Sequence, residues 1–119
     1  MKKRNVVKNN RDFAKIINDG YRIYNDVFSL YVMNNSYGDF RFGISVSKKI
    51  GNAVVRNKIK RQLRNIIDNY KNIYSKDKDY IIIVRRNYLN YSFLQIKDKY
   101  IELINKLANK KENKNEISK

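Results

Sequence analysis

The stretch Lys48 to Asn65, KKIGNAVVRNKIKRQLRN, constrains this chain more than any other, because it can bury one side only as a helix. At about 100° per residue, Ile59, Leu63, Ile66, Ile67 and Tyr70 gather into one apolar stripe, while Asn57, Lys60, Arg61 and Arg64 gather opposite. Arg56 projects nearer the apolar edge, at the first turn, from where it can reach past the helix end. Gly51-Asn52 opens the helix, with Asn52 as its cap. A solvated helix face usually mixes charge signs, but between Phe40 and Ile67 there is no Asp or Glu. Arg41, Lys48, Lys49, Arg56, Lys58, Lys60, Arg61 and Arg64 supply eight positive charges there, half of the net +16.

That surplus asks for a polyanion. At pI ≈ 10.1, nucleic acid ranks ahead of an anionic membrane or an acidic protein, since a basic surface gains affinity by releasing counterions from a phosphate backbone. Arginine forks suit bidentate phosphate contact and Lys60 acts as a point charge. Lys48 and Lys49 precede the helix N-terminus, whose partial positive charge favours a phosphate at the same place.

The absences narrow the chemistry. Without Cys or His the chain has no thiolate or imidazole metal ligand, no Ser-His-Asp or Cys-His constellation and no histidine base. Asp12, Asp19, Asp26, Asp39, Asp77 and Asp79 are scattered without the spacing of a cation loop, so no metal site of the protein's own is expected. No apolar run approaches the roughly 20 residues that span a bilayer, and Met1-Lys2-Lys3-Arg4 lacks the apolar continuation of a signal peptide. A soluble, cytoplasmic protein is expected.

Its 119 residues fit one domain with one core. Asn10 can cap a helix carrying Phe13, Ile16 and Ile17 on one face and stopped at Gly20. Val27 to Met33 and Phe40 to Ser47 alternate as strands, joined by an expected hairpin loop at Asn34 to Asp39. One face carries Phe28, Leu30, Val32, Phe40, Phe42, Ile44 and Val46. The other carries Ser29, Tyr31, Arg41, Ser45 and Ser47, and reads as an open, ligand-facing surface. Tyr80 to Val84 is apolar throughout, as in a central strand buried on both sides. A last helix from about Ser92 to Leu107 offers Phe93, Ile96, Tyr100, Leu103, Ile104 and Leu107 to the core. The expected order is α-β-β-α-β-α, with room for a short strand around Arg22 to Tyr24, and the domain is placed at 1–109. Residues 110–119, rich in Lys and Asn, are expected to form a disordered tail.

The run Arg56-Asn57-Lys58-Ile59-Lys60-Arg61-Gln62-Leu63-Arg64, preceded by Gly51-Asn52-Ala53-Val54, resembles the RNR signature of the bacterial ribonuclease P protein subunit. The likeness extends to Lys2-Lys3-Arg4-Asn5, Asp12-Phe13, Ser45-Val46-Ser47-Lys48-Lys49 and Lys78 to Ile83, nearly all of the chain except the tail. It implies a single-domain α/β (α+β) fold like the second domain of ribosomal protein S5, with a left-handed βαβ crossover where topology statistics favour a right-handed one. It implies that the partners are the ribonuclease P RNA, which performs the hydrolysis with bound Mg2+, and precursor tRNA. The protein itself would hold no cofactor. Arg56, Asn57, Lys60, Arg61 and Arg64 would face the catalytic RNA as positioning groups, and Lys48 and Lys49 would contact its phosphates. Phe13, Ile17, Tyr31, Ser45 and Ser47 would line a groove for the 5′ leader, Ile17 standing where the family has a third aromatic. The rival from another class is a ribosomal or general RNA-binding protein with no part in cleavage, distinguished by indifference to the leader.

Overall fold

The computed structural model describes residues 1–117, with side chains described for 1–109. Helix α1 (Asn10–Asp19) is followed by β1 (Tyr21–Tyr24), β2 (Phe28–Asn34), β3 (Arg41–Ser45), α2 (Ala53–Asn69), β4 (Lys78–Val84) and α3 (Phe93–Ile117). The sheet order is β1-β2-β4-β3, antiparallel except for the parallel β3/β4 pair. The expected tail at 110–119 falls on residues whose side chains, and for 118–119 the backbone as well, lie outside the described residues.

The expected hairpin between β2 and β3 does not form, because β4 lies between them. A strand that is apolar on both sides gains most from the central position, and Ile81 and Ile82 are fully buried there. The 34–39 segment therefore steps over β4, turning at Gly38, whose φ of 79° suits glycine. The hairpin is instead β1/β2, its turn held by Asn25, whose side-chain oxygen accepts from the amides of Val27 and Phe28 at 2.9 Å each.

On one side of the sheet α2 and α3 build the main core. Ile59, Leu63, Ile66 and Ile67 meet Ile96, Tyr100 and Leu103 over Phe28, Leu30, Val32, Phe42, Tyr80 and Ile82. Phe93, expected in this core, stands exposed, with the Lys97 ammonium 5.1 Å from its ring. Asn52 caps α2 as expected, accepting from the Val55 amide at 3.0 Å, whereas α1 is capped by Asn9 and not Asn10, Asn9 accepting from the Asp12 amide at 2.8 Å.

Helix α1 lies on the opposite face, which is thus only partly open. Its Ile16 joins Val7 and Ile81 in a second buried cluster, with Phe13, Ile17, Tyr31, Met33 and Ile83 half-buried around them. Two glycines permit this close seating. A Cβ on Gly20 would lie 2.6 Å from the carbonyl oxygens of Ile16 and Val32, and one on Gly43 would lie 2.5 Å from Phe13 Cζ and 2.6 Å from Ile81 Cδ1. Gly20 ends α1 in an extended conformation, so its small size, and not left-handed freedom, explains the stop.

Candidate nucleic-acid interface

Helix α2 has Asn57, Lys58, Arg61 and Arg64 exposed, with Lys60 half-exposed. Arg56 is half-buried and turns back, donating from Nε to the Gly51 carbonyl at 3.2 Å. Its guanidinium therefore stands at the helix start, beside the Ser47 to Ile50 turn in which Ser47, Lys48 and Lys49 are exposed. Lys48, Lys49, Arg56, Lys58, Lys60, Arg61 and Arg64 form no ion pair among the described residues.

Arg41, the eighth cation of the acid-free segment, behaves differently. It pairs bidentately with buried Asp79, Nε to Oδ1 at 2.9 Å and Nη2 to Oδ2 at 2.6 Å, and reaches Asp12 Oδ2 at 3.3 Å. These hydrogen bonds to Asp79 raise the guanidinium's pKa further. Arg41 therefore stands on the α1 face, as the alternation of β3 places it, but is neutralised there and adds no free charge to the cationic surface. Asp39 is likewise engaged: hydrogen bonding from Asn5, helped by the Phe40 amide and the charge of Arg4, holds its carboxyl below the usual range. Among the described residues no group of three or more acidic side chains is placed to hold a metal ion.

On the α1 face, Phe13 and Ile17 from α1 and Tyr31 from β2 pack half-buried around Val7, Ile16 and Ile81, and Ser45 of β3 is half-buried on the same side of the sheet. Tyr31 is packed against the α1 layer and is less open than the alternation implies, and Ser29 is buried with its Oγ accepting from Arg22 at 3.3 and 3.2 Å. Ser47 lies beyond the strand end, exposed next to Lys48 and Lys49. Sequence reasoning missed Ile83 as part of the α1-side cluster and Gly43 as the seat of Phe13. Both are implied by the parity of β4, since Ile81 and Ile83 share a face, and by the parallel register that sets Gly43 opposite Ile81.

Helices α1 and α2 approach each other around the β3 edge. Phe13, Gly43 and Ile44 line a cleft of about 250 Å³ together with Lys60 and Arg64 of α2 and Met1, Val6 and Val7 of the N-terminal segment. That segment adds to the sheet, Val7 donating to the Phe42 carbonyl at 2.9 Å. Among the described residues no helix is long and apolar enough to cross a membrane.

Comparison with known proteins agrees with this architecture. The Ribonuclease P family model matches residues 1–108. The ribonuclease P protein component of Mycoplasma mycoides is 43% identical over 108 residues, covering 90% of this chain and 99% of that protein. The solved structure of a Staphylococcus aureus RNase P protein mutant with defective mRNA degradation activity is 40% identical, covers 90% of each chain and superposes with a TM-score of 0.81. The RNase P protein from Thermotoga maritima is 30% identical over 82% of this chain and 92% of its own, with a TM-score of 0.74. By sequence, length and fold the chain belongs to the ribonuclease P protein family.

Proposed function

We propose that this protein binds the ribonuclease P RNA through α2 and holds the 5′ leader of precursor tRNA in the α1 groove, promoting endonucleolytic removal of the leader by that RNA. The observation that carries the reading is the clustering, on α2 and the turn before it, of seven cations without a carboxylate partner, in a stretch from Phe40 to Ile67 that contains no acidic residue. Unpaired cations on one surface repel each other and have their use beside phosphate.

Each part then has a physical task. Arg61 and Arg64 supply planar forks for RNA phosphates, Asn57 adds a neutral hydrogen-bonding group, and Lys60 supplies a point charge at the cleft. Arg56, Lys48 and Lys49 concentrate charge at the α2 N-terminus, where the helix dipole adds to it. The groove takes bases by stacking, which tolerates any sequence and is worth roughly 1–3 kcal/mol per base. Phe13 and Tyr31 offer ring faces. Ile17 offers only an aliphatic wall, which shifts the stacking onto Tyr31.

On this reading hydrolysis with bound Mg2+ belongs to the RNA, and the protein contributes binding and orientation. The same reading has the protein working in the cytoplasm, beside the RNA. The test is cleavage of precursor tRNA by a bacterial ribonuclease P RNA at low magnesium, with and without this protein and beside the protein alone. Stimulated cleavage at the mature 5′ end with a silent protein-only control is expected. Absence of stimulation with the cognate RNA returns the chain to general RNA binding, and cleavage by protein alone moves catalysis onto it.

A further inference from the structure

The sheet face that α1 leaves uncovered continues past the groove. In register, Ser45 on β3 lies beside Ile83 on β4, Ile83 beside Ser29 on β2, and Ser29 beside Tyr24 on β1. Three strand spacings of roughly 4.8 Å carry this row about 14 Å across the sheet. One row over, Tyr31 stands directly opposite Arg22, so that same-face neighbours link the groove to the β1 edge.

At that edge the side chains are arranged around an exposed ring. Tyr24 is 53% exposed. The Arg22 guanidinium carbon stands 4.4 Å from the ring centroid, its orientation fixed by the two hydrogen bonds to Ser29 Oγ. The Lys106 ammonium lies 6.0 Å from the same ring and donates to the Tyr24 carbonyl at 2.7 Å. Tyr24, Lys106 and Arg86 line a polar cleft of about 550 Å³. The acidic groups bordering it are occupied: Asp26 is bonded to Lys99 at 2.8 Å and to the Tyr91 hydroxyl, and Glu102 lies 3.7 Å from Lys106 and 3.8 Å from Lys99. Arg22 and Arg86 have no carboxylate partner among the described residues.

A charged edge strand guards against sheet-to-sheet pairing, and Arg22 alone would do that. It does not account for a large aromatic ring held open beside an oriented guanidinium, on the same strip as Tyr31. Stacked aromatic and guanidinium planes are the means by which proteins hold unpaired bases, and the surrounding cations match a phosphodiester strand. We propose that Arg22 and Tyr24 form an outer subsite for single-stranded RNA, receiving a nucleotide of the same strand that occupies the groove, with its base stacked on the Arg22–Tyr24 pair and its phosphate facing Arg86 and Lys106. The subsite rests on the leader reading above and extends it, so that longer leaders gain contacts that shorter ones cannot reach.

The experiment measures precursor-tRNA affinity of the holoenzyme, reconstituted from ribonuclease P RNA and the full chain, over a graded series of leader lengths. With the unaltered protein, affinity should rise until the strip is filled. Tyr24→Leu and Arg22→Gln should reach their plateau at a shorter leader, losing about 5- to 10-fold on the longest leaders and nothing on the shortest. Tyr24→Phe, which keeps the ring, should retain the full gain. Tyr24→Leu equal to the unaltered protein at every length overturns the subsite, as does an equal loss at every length, which marks a folding effect. If Tyr31→Ala abolishes the length dependence while Tyr24→Leu keeps it, the groove stands and the outer subsite falls. If the unaltered protein shows no dependence on leader length, the groove assignment fails and takes the subsite with it.

Discussion

The two faces of the sheet are built to different depths. Under α2 and α3, Phe28, Phe42, Leu63, Ile67, Tyr100 and Leu103 are sealed from solvent, and the rings of Phe28, Tyr88 and Tyr100 meet edge to face at centroid distances of 6.1 and 6.2 Å. Even the hydroxyls there are satisfied, Tyr74 donating to the Ile67 carbonyl at 2.8 Å and lying 2.7 Å from the Tyr100 hydroxyl. Under α1 the second apolar cluster has just Val7, Ile16 and Ile81 buried, and Phe13, Ile17, Tyr31, Met33 and Ile83 around them are half-buried. The same four strands thus seal a core on one face and leave apolar side chains half-open on the other. A groove must leave apolar surface in water, and it can do so only where another face holds the domain together.

The sharpest challenge to this division is Arg41, because it sits on the thin face. Arg41→Met should cost about 3–5 kcal/mol in urea unfolding by leaving Asp79 buried and unpaired. A loss that large on the α1 side would show that the thin face also anchors the fold, through one ion pair and not through area. Leu63→Ala, at the centre of the thick face, should cost about 2–5 kcal/mol by cavity formation, while Tyr31→Ala should cost distinctly less and act on leader binding. Similar losses for Leu63→Ala and Tyr31→Ala would dissolve the comparison.

Alkaline pH probes the thick face alone. Burial pushes up the hydroxyls of Tyr74, Tyr80 and Tyr100, and that of Tyr88 to about 12, all on the α2/α3 side. A pKa raised by folding means that the native state holds the proton more tightly. The associated stability is complete below the ordinary tyrosine value of 10.0 and is lost as pH climbs through the folded value near 12 for Tyr88. Tyrosinate absorbance followed together with circular dichroism should show these rings ionising only as the domain unfolds. Ionisation with the fold intact would mean that this face is looser than its burial indicates.

Gly43→Ala tests the thin face directly. The new methyl would press on Phe13 and Ile81, and overpacking of this kind costs about 1–3 kcal/mol. Since Phe13 can swing outward, the larger consequence should be a distorted groove. Leader-bearing substrate should weaken while binding of the RNA subunit persists, and equal weakening of both would mean that the groove and the α2 surface are a single site.

The two faces were unequally legible in the sequence. The α2 stripe could be read because a helix displays its own periodicity, and each residue's neighbours lie within four positions. The thin face could not, because its apolar character comes from Ile81 and Ile83 on a distant strand, while the local alternation of Ser29, Tyr31, Ser45 and Ser47 looks polar. Arg41, rightly placed on that face, was counted among the free cations for the same reason. Its partner Asp79 lies opposite it only once β3 and β4 pair in parallel, a register that no local pattern in either strand announces. The misplaced cap on α1 is a smaller matter of two adjacent asparagines, Asn9 and Asn10, with the same side-chain chemistry. Short β1, with Arg22 and Tyr24 exposed, gave only a weak alternation, so the β1/β2 hairpin was hidden behind the more regular β2 and β3.

The smallest stability effect should come from the most charged surface. Arg61 and Arg64 are exposed and unpaired, so replacing either by Ala should change unfolding free energy by no more than about 0.5 kcal/mol. Binding tells a different story: each phosphate contact removed should lower the slope of log affinity against log salt by about 0.7 to 0.9. The pair of measurements separates Arg41 from Arg64 completely, although both belong to one acid-free segment. Arg41→Met should shift stability and leave the salt slope alone; Arg64→Ala should do the reverse. A normal salt slope in Arg64→Ala would remove α2 from the RNA contact, because a surface cation that neither holds the fold nor displaces counterions has no electrostatic role in binding.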